Sequence, residues 1–286
     1  MNVKLIVDSG SDLPQDIIDK YDIDLVSLIV HLDHKDYYDR DTIDSTAVYE
    51  AMRNGAAPKT AQATPDTFYE LFKKYAEQQR PIIYLAFSSE LSGTYQSAMI
   101  AKQQVEDEFS QAEIYIIDTK AASMGHGLIA YHTAKAIESG GSIQDILDRA
   151  QFYVNHMVHI FTVDDLEYLQ RGGRVSKAQA FVGGMLKIKP LLHVEDGRLV
   201  PLEKIRGTKK VLGRMTDLTK ERGQSFDQQT IAITHGDDEE RAQMLAERLR
   251  EALNPKDIII HQIGSAIGAH AGPGTIALFF LDEVEK

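Results

Sequence analysis

Phe87-Ser88-Ser89-Glu90-Leu91-Ser92-Gly93-Thr94-Tyr95-Gln96-Ser97 joins a short apolar run, Pro81 to Phe87, to a helix-like stretch, Thr94 to Phe109. The run reads as a buried strand, so the segment is a strand-to-helix turn rich in hydroxyls with one glycine. Such a turn is a receptor for a small anion, because free N–H groups at a helix start point outward and the helix dipole favours negative charge there. Ser92 serves equally well as a simple helix cap.

The pattern repeats outward from this turn. Val3–Val7, Leu25–His31 and Glu113–Ile117 read as further strands. Helical stretches lie between them: one opening at Pro14, one over Ala47–Asn54, one starting at Thr64-Pro65, and two divided at Gly140-Gly141. Alternating strands and helices predict an α/β fold with a mainly parallel sheet covered by helices on both faces. Ligands of such sheets sit beyond the carboxyl ends of the strands. Three small-polar segments fall there, Asp8 to Asp12, Ser88 to Thr94 and Asp118 to Gly125, and the Gly55–Thr64 loop joins them.

The second half reads differently. Strands are expected at Val158–Val163, Ile188–Val194, Leu199–Ile205, Ile231–Thr234, Ile258–Gln262 and Ile276–Leu281, with a hairpin turn at Glu195-Asp196-Gly197 and helices over Lys209–Glu221 and Glu239–Leu253. This predicts a second α/β domain with a mixed sheet, and the boundary is set at residues 156/157, giving domains 1–156 and 157–286.

The 286 residues suffice for two domains, and 43% hydrophobic with 26% charged residues is an ordinary globular composition. No apolar run approaches the ~20 residues that span a bilayer, and Val3 to Val7 enters a strand pattern without a cationic leader, so a cytoplasmic protein is expected. Zero cysteines exclude disulfides, thiolate metal sites and a Cys nucleophile. A net charge of −12 argues against nucleic-acid binding. Gln170 to Lys210 nevertheless carries ten Lys/Arg against three acidic residues. That segment is either a face for an anion or acidic partner, or a solvated face neutralised by neighbouring carboxylates.

Phosphate-loop, dinucleotide, zinc-helix and nucleophile-elbow motifs are absent, and no cofactor or metal is expected. The acidic run Asp33, Asp36, Asp39, Asp41, Asp44 lacks calcium-loop spacing and reads as an exposed loop. His126, His132, His156 and His159 fall in regular stretches and read as packing residues. His270 lies in Ile263 to Gly274, a glycine-rich loop suited to close backbone approach, where an imidazole binds a carboxylate or phosphate or ties the loop down. Arg174 after Gly172-Gly173, and Arg206 at the end of a hairpin strand, suit bidentate anion contacts or internal salt bridges.

Taken together, Asp8-Ser9-Gly10-Ser11-Asp12-Leu13-Pro14, Lys59-Thr60-Ala61-Gln62, Leu91-Ser92-Gly93-Thr94-Tyr95, Leu169-Gln170-Arg171-Gly172-Gly173-Arg174, Lys189-Pro190 and Ile267-Gly268-Ala269-His270 closely resemble the DegV family of bacterial fatty-acid-binding proteins, the lipid-carrying subunits of fatty acid kinase. The resemblance runs almost end to end. It implies a long-chain fatty acid between two α/β domains, with its carboxylate held by Thr60 and by Ser92 of the Ser92-Gly93-Thr94 motif, Gly93 being counted among the lipid-binding residues. It puts His270 near the head group and Arg206 against the kinase subunit. It departs from the family at Thr60-Ala61-Gln62-Ala63, where the usual motif has Ser and Pro at the second and fourth positions.

The expected activity is therefore binding, with a separate kinase forming an acyl phosphate for phospholipid synthesis and Arg174 and Arg206 meeting partner or phosphate. Burying about fourteen methylenes is worth on the order of 11 kcal/mol gross, before the cost of association, so the tail would dominate affinity. Phe161, Leu166, Leu169, Phe181, Met185, Leu186, Ile267 and Phe279 are candidate tunnel residues. The alternatives are a phosphotransferase or hydrolase acting on a small phosphorylated substrate, with His270 or Asp118 as acid or base, and an interaction module with no ligand.

Overall fold

The computed structural model describes residues 2–175 and 188–285. In chain order the first half contains β1 (Lys4–Asp8), α1 (Gln15–Lys20), β2 (Asp24–Val26), β3 (Ile29–Leu32), β4 (Lys35–Tyr38), α2 (Ser45–Arg53), β5 (Lys59–Ala61), α3 (Pro65–Glu77), β6 (Ile82–Ala86), α4 (Thr94–Glu108), β7 (Ile114–Asp118), α5 (Met124–Ser139) and α6 (Ile143–His156). The second half contains β8 (Met157–Thr162), α7 (Leu166–Arg171), β9 (Ile188–Glu195), β10 (Arg198–Arg206), α8 (Thr208–Arg222), β11 (Thr230–His235), α9 (Glu239–Leu253), β12 (Asp257–Gln262), α10 (Ser265–Ala271) and β13 (Ile276–Leu281).

The first sheet has the order β2-β1-β6-β7 and is parallel throughout. Its strands are apolar on both sides because both faces are covered. Ile6, Ile82 and Tyr84 face Phe68 and Phe72 of α3 and Ala98 and Val105 of α4. Leu5, Val7, Ile83 and Leu85 face the opposite way, into a core shared with α5 and α6. The second sheet has the order β10-β9-β8-β13-β11-β12 and is mixed, since only β11 and β12 run parallel. One of its faces packs on α8 and α9. The other, carrying Phe161, Leu192, Ala277 and Phe279, joins the core that holds α5. The strands of the two sheets thus divide between the two halves of the chain, while one apolar layer is common to both.

Local signals set the boundaries. Ser142 and Asp145 form a reciprocal capping box at the start of α6, and Gly140 ends α5 in the left-handed region with φ of +83°. Asp196 and Gly197 both have positive φ and close the β9–β10 hairpin.

Four expectations are corrected. The segment read as one strand, Leu25–His31, is divided between two sheets, with β2 on β1 and β3 pairing with β4 and β5 in a small antiparallel sheet. The acidic run is not a loop throughout: Lys35–Tyr38 is a strand, and Asp39 is fully buried. The Gly55–Thr64 loop contains β5. The glycine-rich segment that carries His270 is helix α10, packed on α2 and β5. Phe181, Met185 and Leu186 lie outside the described residues.

Candidate functional site

A cavity opens beyond the carboxyl end of β6, against the inner face of the six-stranded sheet. About 870 Å³ of space lies between its lining atoms, its opening included, and the centre of a water molecule can visit only about 110 Å³ of it. It is a narrow space, with a polar mouth and an apolar body.

Thr60, Gln62, Ser92, Arg174 and His270 come together among the lining residues at the mouth, from four separate parts of the chain. Pairing of β5 with β3 sets Thr60, opposite Val30. Its hydroxyl lies 2.6 Å from Nε2 of His270. The Ser92 hydroxyl accepts from the Thr94 amide at 3.3 Å and lies 2.9 Å from the Thr94 hydroxyl, just ahead of Gly93, which occupies the N-cap position, and Ser92 also lines the cavity. Gly93 leaves room for Gln62: a Cβ there would sit 1.9 Å from Gln62 Oε1. Gly172 does the same for the histidine, since its Cβ would fall 2.1 Å from His270 Nδ1. Arg174 is held by two carbonyls, of Leu91 at 3.1 Å and Gly172 at 2.5 Å.

Burial, with the Arg174 guanidinium adding to it, pushes the His270 imidazole down to about 4. At neutral pH the ring is therefore uncharged, able to donate from one nitrogen and accept at the other. Among the described lining residues the cation is Arg174. A neutral imidazole joined to a hydroxyl, beside a guanidinium, is an arrangement that receives a carboxylate or phosphate oxygen.

The body is apolar. Phe161, Leu169, Ile267 and Phe279, all expected to line a tunnel, do so, together with Leu199 and Ala277. Leu166 packs against the core without lining the cavity. His159, read from sequence as a packing residue, also lines the cavity, 5.3 Å from the Phe279 ring. Burial pushes it down to about 4, so it too is neutral. Only a glycine at 125 admits it, because a Cβ there would meet its Nε2 at 2.1 Å. No local pattern distinguishes this histidine from its apolar strand neighbours.

Two residues stand apart from this group. Arg206 is exposed at the end of β10 and does not line the cavity. Asp118 does not line it either. Burial would raise the Asp118 carboxyl, but hydrogen bonds from Lys120 and Ser89 outweigh it and hold the group below the usual carboxylate range. Several cations of the basic segment are neutralised by neighbours, with Arg171 on Glu167, Lys189 on Asp164 and Arg198 on Glu90. Among the described residues no three His, Asp or Glu side chains gather in a metal-binding group, and no helix is long and apolar enough to cross a membrane.

This architecture, a narrow apolar cavity with a hydroxyl–imidazole mouth, has the chemistry to receive an amphipathic anion. The chain belongs to the DegV family: the family model described as "Uncharacterised protein, DegV family" matches residues 2–283. A DegV domain-containing protein of Clostridium perfringens is 40% identical over 285 residues, covering 99% of this chain and 98% of the relative. A DegV family protein of Thermus thermophilus, solved as a fatty-acid-binding structure, superposes with a TM-score of 0.90 at 31% identity, over 98% of this chain and 99% of that one. A stearic acid-binding protein of Eubacterium ventriosum superposes with a TM-score of 0.89 at 26% identity, over 97% of each chain.

Proposed function

We propose that this protein binds a long-chain fatty acid in the cavity and presents its carboxylate to a separate kinase, which forms an acyl phosphate for phospholipid synthesis. The observation that carries the reading is the cavity itself, a narrow space with a mainly apolar lining that also includes the Thr60–His270 pair and Arg174. The hydrocarbon lies among Phe161, Leu169 and Phe279, and the carboxylate lies at Thr60, Ser92 and His270. The fatty acids named for the two structural relatives support this ligand class. The split at residues 156/157 separates the half that supplies the hydroxyls from the half that supplies most of the apolar wall. Arg206, exposed and away from the cavity, is the contact for the kinase. Arg174, facing the cavity, meets the new phosphate.

Native mass spectrometry of the purified protein tests the reading. A bound species with the mass of a fatty acid is expected. A protein that stays empty when offered oleate, or that turns over a small phosphate ester, overturns it. With the kinase added, Thr60→Ala combined with Ser92→Ala abolishes phosphorylation while the fold persists, and Arg206→Ala spares lipid binding but impairs phosphorylation. Undiminished phosphorylation of the double variant removes the head-group assignment. Equal loss of binding and phosphorylation in the Arg206 variant removes the docking role.

A further inference from the structure

Helix α10 brings His270 to Thr60, yet nothing local holds it. It has seven residues, under two turns, and no side chain of its own caps its start. A helix so short is not stable by itself. Its first free N–H groups are satisfied instead from the far end of the chain. Gly264 N donates to Asp12 Oδ1 at 2.8 Å, and Ser265 N donates to Asp39 Oδ1 at 3.0 Å. Both aspartates are buried. Asp12 also accepts from the Ser123 hydroxyl at 2.5 Å, and that hydroxyl lies 3.0 Å from the hydroxyl of Thr234. Tyr49 of α2 donates to the carbonyl of Ile263 at 3.2 Å. Gly264 has to be glycine for this approach, because a Cβ there would stand 2.8 Å from Asp12 Oδ1 and 3.5 Å from Asp39 Oδ2.

We propose that Asp12 and Asp39 are positioning residues for the head-group site: the two carboxylates anchor the start of α10 and so hold His270 against Thr60. The proposal rests on the reading of this mouth as the carboxylate site. Its physical basis is a charge-assisted hydrogen bond at each of two adjacent helix N–H groups, reinforced by the helix dipole. His270 lies about 7.5 Å along the helix axis from Ser265, at ~1.5 Å rise per residue. A release at the start tilts the helix and moves the imidazole away from Thr60.

The anchor also responds to pH. Burial raises Asp12 to about 7; the Asp39 carboxylate adds to this, while the Ser123 hydroxyl, the Gly264 amide and Arg40 act against it. Burial raises Asp39 too, against hydrogen bonds from Ser9, Ala266 and Ser265. The other groups facing the pair are Tyr49, whose phenol is held neutral by burial and by Asp12, Arg40, which donates to the carbonyl of Leu13 at 2.7 Å, and Asp44 and His261, which line the same crevice; burial, with Arg40 adding to it, pushes the His261 ring down to about 4. As pH falls through neutrality, Asp12 gains a proton and its grip on the Gly264 N–H weakens.

The test uses the full chain labelled with ¹⁵N-histidine, ¹⁵N-glycine and ¹³Cγ-aspartate, lipid-free and loaded with [1-¹³C]oleate. In Asp12→Ala and Asp39→Ala the ring resonances of His270 shift away from their wild-type positions, the bound carboxyl resonance moves toward that of oleate in water, and lipid leaves for acceptor vesicles about tenfold faster. Asp12→Asn keeps the shape without the charge, and its His270 resonances lack the inflection near neutral pH expected of the wild type. Folded alanine variants with unmoved His270 resonances overturn the proposal. If the alanine variants do not fold, the wild type decides: the Gly264 amide and the His270 ring follow the Asp12 carboxyl titration if the anchor is real, and an indifferent ring overturns it. A wild type that never takes up oleate ends the carrier reading alone, since the lipid-free His270 measurement still judges the anchor.

Discussion

The mouth and the body of the cavity are built on opposite principles. The mouth consists of a few polar groups, each set by a specific contact: Thr60 on His270, Ser92 on Thr94, Arg174 on two carbonyls. The body consists of side chains such as Phe161, Leu169 and Phe279, which project from core elements and differ little from residues that fill a solid interior. Hydrogen bonds are directional and modest in net energy, whereas apolar burial is non-directional and grows with area. On the proposed reading, the mouth orients the ligand and the body retains it.

The largest expected effect follows from blocking the body. Ala122 lines the cavity and is only half-buried, so Ala122→Trp can fill the space without forcing open the core. Excluding about four methylenes costs ~3 kcal/mol, or about a hundredfold in affinity for oleate by titration calorimetry. Unchanged affinity would place the hydrocarbon elsewhere.

A smaller effect, with a different signature, is expected at the mouth. Thr60→Val removes the hydroxyl and leaves Nε2 of His270 unpartnered. A hydrogen bond to a charged group is worth about 1.5–3 kcal/mol, so affinity falls by roughly ten- to a hundredfold. That factor should be the same for acyl chains of every length. The Ala122→Trp penalty should grow with chain length, because longer tails lose more burial. A Thr60→Val penalty that also grows with length would dissolve the distinction between mouth and body.

The same contrast explains what the sequence reveals. The strands of the parallel sheet are continuous apolar runs, such as Ile82–Ala86, and are legible as such. Ser92, Arg174 and His270 stand out because each lies beside glycine in a short pattern, whereas Thr60 is singled out by the family resemblance of Lys59-Thr60-Ala61-Gln62. The small sheet is not legible, since Lys35–Tyr38 bears the exposed charges of an edge strand and mimics a loop. Helix α10 is hidden because its glycine serves packing rather than flexibility: a Cβ at Gly268 would lie 2.6 Å from the Tyr49 hydroxyl. The aspartate at 39 looks like one charge among many, and only the tertiary fold buries it. Leu28, Val194 and Leu199 reach the cavity from three separate strands or loops, a convergence no local pattern records.

A third prediction uses pH. The His270 ring is held down at about 4, against an ordinary 6.5. Protonation therefore favours the unfolded chain. The stabilising contribution is fully present above pH 6.5 and is lost as pH falls from there through 4. Thermal melts of the wild type should drop across this window by several degrees more than those of His270→Gln. Parallel pH curves would show that the ring is not desolvated as the mouth requires. Bound carboxylate opposes the shift, so loading with oleate should raise the midpoint of the ring.

The smallest expected effect isolates one contact of the mouth. Gly93 has φ of −74°, an ordinary value for any residue, so Gly93→Ala brings no backbone strain. Alanine at this helix-cap position costs roughly 0.5–1 kcal/mol relative to glycine. The new Cβ does, however, collide with the Gln62 amide, whose Nε2 donates to the Ser97 hydroxyl at 3.0 Å. Gln62 is exposed at the surface and free to swing into water, which exchanges that bond for hydration. With the exchanged hydrogen bond the net loss is about 1.5 kcal/mol, a fall of about 3 °C in Tm for a chain of this size. Oleate affinity should change less than twofold, because Thr60, His270 and Arg174 are untouched. A large loss of affinity in this variant would mean that Gln62 holds the ligand itself, and the mouth would then need a fourth side chain in contact with the carboxylate.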